Sequence, residues 1–141
     1  MKRKLGETRE HFSHRQLWTR TSSIWRHQKE RAAKLNLPFC VTLDSLRAFA
    51  ASVLAIPCVY CGARITPKNL SLDHPVPISR GGYMDGYIFC CNVCNERKGS
   101  LTGNEYSSLV SMLYGWPDAA RIDVLRRLRA GSKALRRMFA K

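Results

Sequence analysis

A chain of 141 residues with a formal charge of +14 has room for one compact unit, or for a small domain with helical extensions. It holds no apolar run long enough to cross a membrane, and its charged start, Met1 to Glu7, does not read as a secretion signal. Six cysteines in such a chain therefore point away from a secreted disulfide scaffold. They point towards metal binding in a reducing, cytoplasmic setting.

The charge is unevenly spread. Residues 1–35 hold ten Lys/Arg against Glu7, Glu10 and Glu30, and residues 121–141 hold eight against Asp123, whereas 36–120 is neutral. Basic flanks around a neutral centre suit a protein whose ends neutralise phosphates while its centre does other work. The composition divides the chain into a basic N-terminal helical arm (1–37), a core (38–115) and a basic C-terminal helix (116–141).

From about Thr8 to Leu35 there is no Pro or Gly and much Arg, Gln, Glu and Ala, which predicts helix in one or two pieces. Phe12, Trp18, Ile24 and Trp25 are its candidate packing residues. His11, His14 and His27 read as solvated or phosphate-contacting groups rather than metal ligands. Asn36-Leu37-Pro38 should end the helix, because proline disfavours helical geometry in the residue before it. Cys40 is expected to be a small buried residue. Thr42 then caps a helix reaching about Leu54 through Leu46, Phe49, Ala50 and Val53, with Asp44 in its first turn.

Cys58-Val59-Tyr60-Cys61-Gly62 reads as a metal knuckle whose glycine can take positive φ. Leu70 to His74 alternates as a short strand stopped by Pro75 and Pro77, and Arg80-Gly81-Gly82 forms a turn. Tyr87 to Cys90 is the returning strand, and Asn92 to Lys98 a short helix closed by Gly99. A further helix is expected from Gly103 to Leu113, a break at Gly115-Trp116-Pro117, and a terminal helix from Asp118 to about Phe139. Trp116, like Trp18 and Trp25, reads as a packing residue.

Two Cys-x2-Cys pairs, Cys58/Cys61 and Cys91/Cys94, can close a tetrahedral thiolate cage around structural Zn²⁺. Cys90 competes for the same role, but the two-residue gap to Cys94 and strand alternation favour Cys91. Between and behind the pairs stand Asp73, His74 and Asn95. A carboxylate and an amide oxygen suit a hard cation such as Mg²⁺ or Mn²⁺, and a neutral imidazole suits proton abstraction near pH 7. Phosphodiester hydrolysis needs such a set: a deprotonated water, a stabilised leaving oxygen and cover for the non-bridging oxygens. Arg80, Arg97 and Lys98 are the candidates for nucleic-acid contact.

Cys58 to Gly99 resembles the HNH endonucleases of the ββα-metal type, in particular the zinc-containing group that includes phage recombination endonuclease VII. Ala33 to Phe39 followed by Thr42-Leu43-Asp44 also looks like the lead-in of many phage members. The resemblance implies an α+β fold, a small ββα core stapled by a four-cysteine zinc site and flanked by basic helices. It implies His74 as general base, Asp73 and Asn95 as cation ligands, and products with 5′-phosphate and 3′-hydroxyl ends. Gly86 stands where many members carry the middle Asn of the name. The expected function is that of a metal-dependent DNA endonuclease acting on double-stranded or branched DNA. Further expectations are no membrane partner, a cytoplasmic location (that of a bacterial host if phage-encoded), and a homodimer or a phage protein partner. The competing reading is a non-catalytic zinc-containing DNA-binding module of a phage regulatory or packaging complex, which would need the cysteines and basic arms but not Asp73, His74 and Asn95.

Overall fold

The computed structural model describes residues 1–139, with side-chain surroundings through residue 131; the last two positions of the C-terminal segment drawn from composition lie outside the described residues. Among the described residues, five α-helices and a two-stranded antiparallel sheet make a mixed α+β fold. A single helix, α1 (Arg9–Leu35), opens it without a break. Thr8 caps its start by accepting the His11 N–H, and Glu10 lies in the first turn. Its end is set by Asn36 rather than by the proline two positions on. Asn36 turns into the left-handed region at φ 52° and its N–H returns to the carbonyls of Ala32 and Ala33.

The buried face of α1 is Leu17, Thr21, Ile24, Gln28 and Ala32, a regular helical stripe in which two members are polar. This corrects the expected packing set. Ile24 is buried and Trp25, partly buried, packs against the core as expected, but Trp18 is half exposed and Phe12 only partly covered. Trp18 instead lies under the Arg47 guanidinium, 3.2 Å from the ring centre, with His14 stacked beside it. Such a cation-π contact lets a large ring sit at the surface. Trp25 uses its polar end as a tie, donating from Nε1 to the Val41 carbonyl at 2.8 Å and joining α1 to the chain entering the next helix.

That helix, α2 (Leu43–Val53), is capped by Thr42 and packs along α1, burying Leu46, Ala50 and Val53. Phe49 lies against Phe89 and Tyr87, 5.3 and 5.9 Å between ring centres. The sheet pairs β1 (Leu70–Asp73) with β2 (Ile88–Cys91) in the register Leu70↔Cys91, Ser71↔Cys90, Leu72↔Phe89 and Asp73↔Ile88. Alternation along β2 sends Cys90 and Cys91 to opposite faces. Cys91 then opens α3 (Asn92–Lys98), which lies against both strands.

The loop between the strands is closed by a 3₁₀ turn over Ile78–Arg80 and Gly81 at φ 89°. Gly82 is required there by space: a Cβ would fall 1.9 Å from the Val76 carbonyl oxygen. Helix α4 (Gly103–Met112) starts with a full capping box between Thr102 and Glu105, and α5 (Asp118–Phe139) packs back on α3. Cys40 departs from expectation, since it is exposed rather than buried. Its segment is held by the backbone N–H of Cys40 donating to Asp85, a contact that needs no side chain. Trp116 is likewise half exposed.

Candidate functional site

The two knuckles meet at the end of the sheet. The sulfurs of Cys58, Cys61, Cys91 and Cys94 all lie within 4.8 Å of one another, and Cys61 and Cys91 are 3.7 Å apart. Four thiols that close, three of them buried, make the donor set of a structural Zn²⁺ site. Gly62 takes φ 73° to turn the first knuckle, and its N–H bonds to the Cys58 carbonyl. Burial raises the thiols of Cys91 and Cys94; it acts the same way at Cys58, but there N–H groups of Cys91, Tyr60 and Cys61 aimed at the sulfur bring the thiol below its usual value. Cys90, wholly buried on the other face, is outside this cluster, and burial pushes its thiol well up.

The second site lies where β1 ends. Asp73 is 3 % exposed, and both its oxygens are engaged: Oδ2 accepts from the Tyr60 hydroxyl at 2.7 Å, and Oδ1 pairs with Lys98 Nζ at 2.9 Å. Tyr60 sits between Cys58 and Cys61, so the metal knuckle reaches the carboxylate directly. Lys98 also donates to the His74 carbonyl at 3.0 Å. Its side chain is 1 % exposed, so it is an internal ion pair rather than the accessible cation expected from its place beside a loop.

His74 is 6 % exposed, and its Nε2 is 3.2 Å from the Met84 carbonyl oxygen. A carbonyl can only accept, so Nε2 carries the proton and Nδ1 is left with its lone pair. Burial lowers the imidazole pKa below its ordinary value, the Met84 bond opposes this, and the Arg31 charge adds to the lowering. Met84, 1 % exposed, therefore orients the ring in a loop that has glycine at position 86.

Asn95 comes from α3. Its Nδ2 donates to Ser71 Oγ at 2.7 Å and to the Leu72 carbonyl at 2.9 Å, both on β1. Its Oδ1 has no hydrogen bond among the described residues.

Asp73, His74, Asn95 and Lys98 all line one cleft of about 480 Å³. Sequence reasoning missed its other walls. Arg20, Gln28 and Arg31 of α1 and Arg129 of α5 are among them, together with His27, which reads in the sequence as a solvated or phosphate-contacting group. Their spacing along α1 is that of one helical face, a signal hidden in the sequence because the whole helix is basic. Arg80 is held by Glu105 through both guanidinium nitrogens, the second contact at 3.0 Å, and Arg97 is exposed outside the cleft lining.

A carboxylate and an amide oxygen are donors of the kind a hard divalent cation takes, and Asp73 and Asn95 line one cleft, with both Asp73 oxygens already engaged by Tyr60 and Lys98. The ammonium already on Asp73 Oδ1 is the charge such a cation would meet.

Residues 58–108 match the family model described as HNH endonuclease. The matched segment takes in both cysteine pairs, β1, the loop, β2, α3 and the first half of α4. The narrower likeness to the phage endonuclease VII group rests on the motifs alone. No curated protein matches the chain.

Proposed function

We propose that this protein is a metal-dependent DNA endonuclease that hydrolyses phosphodiester bonds, with His74 as general base and Asp73 and Asn95 as ligands of a Mg²⁺ or Mn²⁺ ion. The observation that carries the reading is the hold on His74: its Nε2–H is spent on the Met84 carbonyl, which leaves Nδ1 basic at the cleft beside Asp73 and Asn95. A ring so fixed can take a proton from water at Nδ1 without first changing tautomer. Lys98 and Tyr60 hold the Asp73 carboxylate in one orientation, and Ser71 with Leu72 holds the Asn95 amide so that its oxygen is the end left free. When bound, the cation would stabilise the leaving oxygen and share the charge of the non-bridging oxygens. The four cysteines staple the hairpin to α3 around Zn²⁺ and take no part in the chemistry.

A second reading, a zinc-stapled DNA-binding module without catalysis, is favoured by one observation: Asp73 is already satisfied by Tyr60 and Lys98 with no cation. Incubation of supercoiled plasmid with the purified protein and Mg²⁺ or Mn²⁺ separates the two. The nuclease reading expects nicking that is lost in EDTA and in His74→Ala, with zinc content and DNA affinity kept by the variant. Binding without nicking under every cation would leave the second reading standing.

A further inference from the structure

Of the three cations expected to meet phosphate, two are spent and the third, Arg97, lies outside the cleft lining. Arg80 is bound to Glu105, Lys98 to Asp73, and of the others lining the cleft Arg129 is held by Glu96 at 3.1 Å and Arg20 donates from Nε to the Leu70 carbonyl at 2.9 Å. Arg31 differs. It is half-buried on the cleft wall, and its side chain makes no hydrogen bond or ion pair among the described residues. Placing a guanidinium there with nothing to pair it costs desolvation that an anion would offset.

A second observation lies one helical turn back. Gln28 is 7 % exposed and also lines the cleft; its Oε1 is buried and has no hydrogen-bond partner. With the oxygen turned into the fold, the amide Nε2 is the end left for the cleft. A guanidinium and an amide N–H₂ on one helix face are donors only. An unpaired guanidinium with an amide donor beside it, next to the exposed imidazole of His27, suits an anion.

We propose that Arg31, flanked by Gln28, forms a phosphodiester-binding subsite on α1, facing His74 across the cleft and covering the charge of the non-bridging oxygens. The N-terminal helix is then a wall of the active site as well as a basic arm. This rests on the nuclease reading for the identity of the phosphate, but the subsite can be measured without turnover.

The test uses the full zinc-loaded chain with Arg31→Ala, Arg31→Lys and Gln28→Leu. Nicking kinetics are followed in Mg²⁺ or Mn²⁺, and DNA affinity is followed against NaCl in buffer without added Mg²⁺ or Mn²⁺ and without chelator, so that the zinc stays bound and nothing is cut. Arg31→Ala should lose roughly a hundredfold in kcat, the usual cost of one charge-stabilising donor, and its salt slope should fall by about one phosphate contact. Arg31→Lys should recover part, because the charge returns without the fork. Gln28→Leu should lose roughly tenfold, as for one hydrogen bond to a charged group. Thermal midpoint and zinc content should not move in Arg31→Ala, since the side chain holds nothing in place. Wild-type kcat and salt slope in Arg31→Ala would overturn the subsite while leaving the nuclease intact. If the wild type binds without cutting, the nuclease reading falls and the salt slope alone decides: lowered in Arg31→Ala, the subsite stands; unchanged, it falls.

Discussion

Lys98 shows how little of a residue's role is visible from its neighbours in the chain. Beside a glycine and two positions from a glutamate it reads as surface, yet the fold carries it inward to Asp73 and the His74 carbonyl. The motif around it fixes its place on α3, but only the packing of α3 on β1 decides which way its ammonium points. That Asp73, His74 and Asn95 share one cleft was legible from their spacing around the first strand and the short helix; Tyr60 and Met84 were not, because they act through single atoms on partners distant in sequence. Deleting one member of a buried pair leaves the other charge uncompensated, typically at about 3 kcal/mol or more. Lys98→Met should therefore lower the unfolding free energy of the zinc-loaded protein by about 3 kcal/mol when no other divalent cation is added. Added Mn²⁺ should restore part of it, because a cation on Asp73 replaces the lost charge. Denaturant unfolding with and without Mn²⁺ checks this, and no recovery would argue against Asp73 as a cation ligand.

Among the elements, the second helix, both strands and the short helix after them follow closely from their caps, alternation and glycines. The first helix was found in extent but misread in its packing face. Large aromatics suggested the inner side, whereas the true stripe includes Thr21 and Gln28, whose polarity conceals it from any hydrophobic pattern. Thr21 is accommodated by bonding its hydroxyl to the carbonyls of Leu17 and Trp18. Helix α4 carries a pH-dependent device at its start. Arg80, and then the Thr102 backbone, hold the Glu105 carboxyl at about 2 rather than its ordinary 4.5. A carboxyl depressed by folding contributes stability above its unfolded pKa and loses it as pH falls towards the folded value. Glu105→Gln should thus be less stable than wild type at pH 7, and the gap should narrow between about pH 4.5 and 2. Thermal melts of both proteins across that range would show it; a constant gap would mean the ion pair is not the source.

At the scale of the molecule, composition located the basic flanks and the neutral centre, but charge counts say nothing of direction. Only the fold shows that α1 turns one basic face towards the end of β1. The four-sulfur cluster ties the knuckle after α2 to the β2–α3 corner, and in so small a core metal binding is folding free energy. Chelation at neutral pH should therefore cost helical signal and compactness together, followed by circular dichroism and released zinc, and replacing any one of the four cysteines should do the same. A chain that keeps its far-ultraviolet spectrum after complete zinc removal would contradict this.

The Tyr60 hydroxyl gives that staple a further meaning. The residue lies between Cys58 and Cys61 of the four-sulfur cluster and ends on the carboxylate proposed to hold the catalytic cation. As a nuclease, the protein would fail safe: a molecule stripped of metal or oxidised at its thiols loses the aim of Asp73 at the same moment, and does not linger as a loose cutter of DNA. Cleavage per bound zinc should accordingly stay constant through a partial chelation, rather than rise or persist as zinc leaves.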